Sequence, residues 1–275
     1  MKTKIINLLN LYVNRNMKLS EYLNIKYPLY TNHVSKREIR HDFFKNIDTE
    51  LHAYLLGLIM SDGSIDDKRA TLSHTVNEKD KELLNYYRII CPKAYTQEFI
   101  PKPSKGIRDD KMIVGTKSIR LAIASVILIE DLHKLGVEQN KTYKEQNIPI
   151  QIPDKYIYHF IRGYFDGDGS FSGSVIQDKN RPNPRVRMQF QIDSKTKTLL
   201  EEFKIFFEKY NIKTNIYECK RDSMYRLASH SVTECKKIYY LLYNNSHCFL
   251  KRKFNKFNYY VNTEVSQIIA DHCNA

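Results

Sequence analysis

Tryptophan is absent from this 275-residue chain, and glycine (9) and proline (8) are scarce, which excludes a low-complexity or collagen-like chain. Cysteines number only five (Cys91, Cys219, Cys235, Cys248 and Cys273) and form no CxxC pair. That excludes a disulfide framework and a zinc ribbon, and fits a reducing compartment. Long hydrophobic runs are missing too: the longest, Leu121 to Ile129, is far below the ~20 residues that span a bilayer. Acid is in deficit, with 31 Asp and Glu against 44 Lys and Arg, leaving a formal charge of +13. Such a surplus favours a polyanionic partner, either nucleic acid or an anionic membrane surface. No acid precedes Glu21, but the apolar residues Ile5, Ile6, Leu8 and Leu9 are too few and too broken for a secretory signal. A mitochondrial transit peptide shares that lack of acid, so an organelle stays open as the location. With 42% apolar and 27% charged residues the chain is long and apolar enough for a folded core.

What is abundant is Lys, Ile, Asn and Tyr, whose codons are AT-rich; this is what an organelle, phage or large-virus genome would produce, and the expected location is intracellular. More decisive is an internal repeat. Tyr54-Leu-Leu-Gly-Leu-Ile-Met-Ser-Asp-Gly-Ser64 and Phe160-Ile-Arg-Gly-Tyr-Phe-Asp-Gly-Asp-Gly-Ser170 match at Gly57/Gly163, Asp62/Asp168, Gly63/Gly169 and Ser64/Ser170, always 106 residues apart. Arg120-Leu-Ala-Ile-Ala-Ser-Val126 and Arg226-Leu-Ala-Ser-His-Ser-Val232 share the same 106-residue offset. Two separated matches at one offset mark a tandem duplication.

Each copy reads as an apolar helix (Leu51 to Ser61; Lys155 to Gly167), a Gly-Ser turn and two strands. An amphipathic helix follows, Lys79 to Ile90 with Leu83, Leu84 and Tyr87, or Lys195 to Tyr210 with Leu199, Leu200, Phe203 and Phe207. Two more strands and a closing helix (Val126 to Leu135; Val232 to Tyr243) complete it. The order αββαββα, twice, predicts an α+β fold with two antiparallel sheets. The boundaries are a 1–47 extension of undecided role, repeats over 48–150 and 151–262 joined through the Pro-punctuated Asn147 to Pro153, and a 263–275 tail.

Gly57 and Ser61 are four apart, as are Gly163 and Gly167, so each pair shares one helix face and lets another backbone approach closely. Both helices end in an acid followed by glycine, and glycine suits the left-handed conformation that stops a helix. If the two small faces pack together, Asp62 and Asp168 come to the same end of a two-helix interface. Each also lies at a helix carboxyl end, where the dipole favours cations, a plausible setting for Mg²⁺. An EF-hand is excluded, because that loop needs Gly at its sixth position and Glu at its twelfth. Counted from Asp166 those positions hold Phe171 and Gln177, and from Asp62 they hold Asp67 and Ser73.

These two segments, at domain spacing in a basic chain, resemble the signature of LAGLIDADG homing endonucleases in the two-repeat single-chain form, over about residues 48 to 260. The resemblance implies pseudo-twofold tandem αββαββα repeats, a central two-helix interface and two DNA-binding sheets. It implies that Asp62 and Asp168 hold the catalytic divalent metals, with the carbonyls of Ser61 and Gly167 as secondary ligands, and that Mn²⁺ substitutes for Mg²⁺. The sixth signature position, often Asp in the family, is Asp166 in the second copy but Met60 in the first, which makes the halves unequal. A basic residue near the scissile phosphate maps to Lys141 and to Lys253, with Lys251 a close rival. The polar position that helps place water maps to Glu78 and Ser194.

The segment Arg185 to Asp193 alternates strictly, with Val186, Met188, Phe190 and Ile192 on one face and Arg185, Arg187, Gln189 and Gln191 on the other, which is the period of a half-buried strand. Most such outer faces are merely solvated, but Arg matches guanine and Gln matches adenine in the major groove, where family members lay these strands. The first copy offers Arg69, Thr71, Ser73 and Thr75, with His74 on the apolar side as a core histidine, and the fourth strands add Arg120 and Arg226. Lys102, Lys105, Arg108 and Lys111 between Pro101 and Thr116 could grip the DNA backbone. Cys235 to Thr263 has six basic residues and no acid, with Tyr and Phe interleaved; phosphate contact is its functional version.

The expectation is a monomeric, metal-dependent endonuclease making a double-strand break at a long asymmetric DNA target, with no membrane partner. The alternatives are a maturase acting on its host intron RNA and a non-cleaving DNA-binding protein on the same fold. The ends, Met1-Lys2 and Asp271-His-Cys-Asn-Ala275, are not those expected of an intein.

Overall fold

The structure, a computed structural model, describes residues 12–14, 17–31, 37–100, 104–105, 112–113, 115–141, 144–178 and 182–273. It divides into two compact units. One is built on the chain up to His52 together with Asp62–Gln139, and the other on Ala53–Ser61 together with Asn140–Ala275.

In the first unit, helix α1 (Leu19–Lys26) precedes helix α2 (Glu50–Asp62), of which Ala53–Ser61 belong to the second unit. Strands β1 (Gly63–Asp66) and β2 (Thr71–Asn77) follow, then a 3-10 turn (Glu78–Leu83), helix α3 (Leu84–Ile90), strands β3 (Tyr95–Phe99) and β4 (Ser118–Ala124), and helix α4 (Val126–Lys134). The sheet is antiparallel throughout, in the order β1-β2-β4-β3. The period-two pattern explains its faces: Leu72, His74 and Val76 are buried towards the helices, and Thr71 and Thr75 point the other way. His74 is a core residue, as its apolar side predicts, with Nδ1 2.7 Å from the Tyr87 hydroxyl. The amphipathic helix expected from Lys79 is a 3-10 turn before it becomes α3, and the Asn77 side chain caps the turn by accepting from the Lys79 N–H at 3.0 Å. Ser125 caps α4 in the same way, accepting from the Leu128 N–H at 3.2 Å.

The described residues before Asp48 are tied to the first repeat. Arg40, 4% exposed, donates from Nε to the Ile89 carbonyl (3.1 Å) and from Nη1 to the Leu23 (3.1 Å) and Tyr27 (2.5 Å) carbonyls, while Nη2 reaches Asn24 at 2.9 Å. One guanidinium thus caps the carboxyl ends of both α1 and α3, where backbone carbonyls lack helical partners. Asp48 gathers the other side of α1, accepting from Lys26, from the hydroxyls of Tyr22 (2.5 Å) and Tyr27 (2.8 Å), and lying 2.9 Å from His52 Nδ1. Burial raises its pKa, but the hydrogen bonds from His52, Lys26 and Tyr22 outweigh that and hold the carboxyl well below the usual range.

The second unit repeats the plan. Helix α5 (Ile157–Asp168) leads into β5 (Gly169–Ile176), β6 (Arg185–Ser194), helix α6 (Lys197–Lys209), β7 (Asn215–Cys219), β8 (Met224–Ser229) and helix α7 (Val232–Tyr243). Its antiparallel sheet has the order β5-β6-β8-β7. Its core is aromatic: Phe165 stacks on Phe190 at 4.8 Å and Phe171 on Phe257 at 3.9 Å. Phe257 comes from a helix the repeat does not contain, α8 (Lys251–Asn262), and a further helix, α9 (Val265–Cys273), follows it. The stretch from residue 263 is therefore not a tail, since Ile268 on α9 is buried and the helix packs on β5 and β6.

The small faces of the signature helices meet as expected, within this unit. A Cβ on Gly57 would lie 2.0 Å from the Phe160 carbonyl oxygen and 2.8 Å from the Tyr164 nitrogen. A Cβ on Gly163 would lie 2.0 Å from the Tyr54 carbonyl oxygen. The left-handed stop expected at Gly63 and Gly169 is absent. Gly169 is extended (φ −94°) and is required because a Cβ there would strike the Phe165 ring at 2.2 Å. Among the described glycines the left-handed one is Gly136 (φ 78°), just after α4.

Two expected outcomes follow from this packing. Gly57→Ala would gain about 1 kcal/mol of helix propensity if the site were open. Because backbone faces it, the substitution should instead cost about 2–3 kcal/mol or more, read as a lowered midpoint in urea unfolding. For Asp48 the folded-state pKa is depressed, so its stabilisation is present above the unfolded value near 4 and is lost as pH falls below it. The stability gap between the natural chain and Asp48→Asn should therefore be present at pH 7 and shrink towards pH 3 in denaturant titrations.

Candidate nucleic-acid interface and helix-end carboxylates

Asp62 closes α2 and Asp168 closes α5, each is exposed, and each is followed at once by the first strand of a four-stranded sheet. The unsatisfied carbonyls of a helix end carry partial negative charge, so a carboxylate there reinforces a cation-attracting position. The charge of Asp62 is felt by Tyr87, whose hydroxyl is pushed well above its ordinary pKa by burial first and by Asp62 second.

Around Asp168 the structure departs from the expectation. Lys253, 8% exposed, does not project to solvent. Its Nζ donates to the carbonyls of Phe165 (2.7 Å), Asp166 (2.8 Å), Gly167 (3.2 Å) and Gly169 (2.5 Å), so it caps the carboxyl end of α5. The Gly167 carbonyl proposed as a metal ligand is thus held by an ammonium group, and Lys253 is withdrawn from phosphate contact. Lys251 and Arg252, on the first turn of α8, are the exposed basic groups there.

Asp166 is buried beside it, accepting from the Tyr54 hydroxyl (2.8 Å) and the Leu250 N–H (2.6 Å), with the Tyr243 hydroxyl at 3.5 Å. Burial raises its pKa, against the opposing charges and hydrogen bonds of its neighbours. Arg162 is fully buried and donates to the carbonyls of Cys248 (2.7 Å) and Leu242 (2.6 Å), with the Tyr54 ring 5.5 Å away. These contacts lock the entry to α8 onto α5, and nothing in the spacing of a single sequence marks them.

The water-placing position fares unevenly. Ser194 lies on the core side of β6, 6% exposed, and accepts from the Thr196 N–H (3.0 Å) and the Tyr164 hydroxyl (3.3 Å), so it is a turn residue facing the helices. Glu78 begins the 3-10 turn and pairs with Lys117 at 3.5 Å. Lys141 is half-exposed, its carbonyl accepting from the Gln146 side chain at 3.3 Å.

On the second sheet the outer face carries Arg185 and Arg187, both exposed, and the half-buried Gln189 and Gln191, whose amides are joined at 2.8 Å. Opposite Gln191, Gln189 and Arg187 on β5 stand Ser170, Ser172 and Ser174, which are small enough to leave those long side chains clear, while Ile176 stands opposite Arg185. Two of the cations are already engaged. Arg185 pairs with Asp178 at 2.8 Å, and Arg226 clasps Asp193 across the strand pair with Nε at 2.7 Å and Nη2 at 2.9 Å, a bidentate pair that occupies its fork on that face.

On the first sheet Thr71 and Thr75 face outward, but Ser73 is buried at 4% under Arg120, whose Nη2 donates to its hydroxyl at 2.9 Å. Arg69 lies outside β2, in the tight turn where Ala70 takes φ 44° and the Asp66 carboxylate accepts the Arg69 N–H. The loop cations Lys102, Lys105, Arg108 and Lys111 lie outside the described side chains. Register places Tyr95, Gln97 and Phe99 on this outer face, opposite Ala122, Arg120 and Ser118. The sequence reading missed all three; their alternation with Thr96 and Glu98 suggests the reverse, aromatic-inward orientation.

Comparison with known proteins bears on this arrangement. Residues 155–251 match the family described as a LAGLIDADG-like domain. The chain is 28% identical over 167 residues, 61% of its length, to reverse gyrase of Methanocaldococcus jannaschii, and 24% identical over 132 residues to that of Thermococcus kodakarensis. The match spans only 9% and 6% of those proteins. Its fold is similar to that of the LAGLIDADG meganuclease I-AabMI bound to uncleaved DNA, with a TM-score of 0.54, 11% identity and coverage of 80% of this chain and 96% of that one. It is also similar to the I-LtrWI LAGLIDADG homing endonuclease bound to target DNA, with a TM-score of 0.51, 12% identity and coverage of 82% and 96%.

Lys253→Met keeps most of the stem but leaves buried carbonyls at the end of α5 without a donor. It should cost about 2–3 kcal/mol, measured as a fall in unfolding free energy, whereas Lys251→Met on the exposed turn should change it by less than about 0.5 kcal/mol.

Proposed function

We propose that this chain is a two-repeat LAGLIDADG protein and a site-specific DNA endonuclease that makes a double-strand break at a long, asymmetric target, a reading supported by the family match over residues 155–251 and the similar fold. The observation that carries this is the repeated placement of an exposed acid, Asp62 or Asp168, at the end of a signature helix and at the head of a four-stranded sheet with polar side chains on its outer face.

Asp62 and Asp168 supply hard carboxylate oxygens at helix ends, a donor chemistry that fits Mg²⁺, with Mn²⁺ as a substitute. When bound, the metal supplies a Lewis acid and lowers the pKa of its water. Gly167 is not counted among the ligands, because its carbonyl accepts from Lys253. The ammonium of Lys253 offsets the negative end of α5 and fixes the backbone that carries Asp168. Phosphate contact falls to Lys251 and Arg252, with Lys141 in the corresponding role for the other copy. Arg187, Gln189, Gln191, Thr71, Thr75 and Arg120 face the DNA grooves, while Arg226 and Ser73 act by holding their neighbours. The unequal repeats suit a monomer on an asymmetric site.

The capture of the Gly167 carbonyl also supports a second reading, in which the fold binds nucleic acid, duplex DNA or its host intron RNA, without cutting. The two readings separate on supercoiled DNA carrying the intron-free insertion site of the gene's own host. The natural chain with Mg²⁺ should linearise it, EDTA should abolish the cut, and Asp62→Asn and Asp168→Asn should each slow it by at least about a hundredfold. Tight binding with no cut in Mg²⁺ or Mn²⁺ contradicts the endonuclease.

A further inference from the structure

The residues before the first repeat deliver one cation to the edge of the first sheet. Two contacts fix its place: Arg40 is locked into the ends of α1 and α3, and the adjacent His41 lies with Nδ1 2.7 Å from the Ser125 hydroxyl, just beyond β4. Glu38 and Ile39 pair antiparallel with Thr31 and Tyr30, which stiffens the approach. Arg37, immediately before this pair, has its guanidinium 6.0 Å from the Tyr95 ring centre. Tyr95, 48% exposed, stands on the outer face of β3, the edge strand. Arg37 therefore lies beside the edge strand at Tyr95, whose ring stands on the face that carries Arg120 and Thr75.

The dimensions decide what it could touch there. From β1 to β3 the sheet is three strand spacings wide, about 14 Å at ~4.8 Å each. The major groove is about 12 Å wide. The middle strands can face base edges, but the edge strand and anything beyond it lie over the groove wall, which is phosphate. We propose that Arg37 is a backbone contact of the bound duplex, so that the N-terminal extension widens the DNA interface past β3 by a phosphate clamp that carries no sequence information. This rests on the DNA-binding reading of the outer face.

The test is the salt dependence of binding by the full chain, in EDTA so that nothing is cut, to a fluorescent random-sequence duplex between about 50 and 200 mM salt. Loss of one phosphate contact should make the slope of log affinity against log salt shallower by about 0.9. Arg37→Gln, which keeps a stem over Tyr95, should show that change and a several-fold loss of affinity at low salt, with unaltered thermal unfolding. Arg37→Lys should keep the natural slope. An unchanged slope in Arg37→Gln, beside a natural chain that binds, overturns the clamp alone. If the natural chain binds no duplex at any salt concentration, the DNA-binding reading itself falls.

Discussion

The close backbone contact at Gly57 and Gly163 is the constraint on which the rest depends. Two helices whose Cβ atoms would overlap the opposing carbonyls at 2.0 Å can pack in that way only with glycine at both positions. Glycine in a helix interior costs about 1 kcal/mol relative to alanine, and here the cost is offset by burying the apolar residues from Ala53 to Met60. Each of the two helices ends in an acid and runs at once into the first strand of a sheet, whose register is fixed by alternation along β2 and β6.

Around the end of α5 the structure solves a local electrostatic problem in its own way. A helix terminus presents carbonyls without donors and a following carboxylate adds charge, so the position attracts a cation. Lys253 supplies one covalently, from a helix that lies outside the duplicated unit. Arg162 and Asp166 complete the arrangement by gripping the segment that leads into α8. This makes the second copy chemically unlike a bare pair of acid and carbonyl, and ties the exposed turn carrying Lys251 and Arg252 to the acid-bearing helix.

The duplication, the two sheets and the signature-helix packing were legible in the sequence because each rests on a repeated pattern: a constant offset, period-two alternation, or glycine at helical spacing. The outward set Arg185, Arg187, Gln189 and Gln191 followed from parity alone. What escaped depends on contacts between residues distant in the chain. Arg226 is basic and correctly placed, yet Asp193 across the strand pair occupies it. Ser73 sits at an outward position and is still buried, because Arg120 lies over it. Ser194 reads as the polar end of a strand but has the parity of Phe190 and Ile192. Lys253 looked like any member of a basic run, and only the folded chain shows that its neighbours point out while it points in. The extension before Thr49 is tied down largely by the buried guanidinium of Arg40, whose partners are three backbone carbonyls and one side chain, Asn24, and so leave little side-chain pattern to read.

The central claim is that two helix-end acids on sheets of this kind make a cutting enzyme with one preferred site. The most direct measurement lets the protein choose that site itself: incubate genomic DNA from an intron-free relative of the host with the protein and Mg²⁺, then sequence every new end. The account predicts recurrent double-strand ends at a single locus, absent when Asp62→Asn replaces the natural chain. Ends scattered as in the variant, with no recurrent locus, would contradict it.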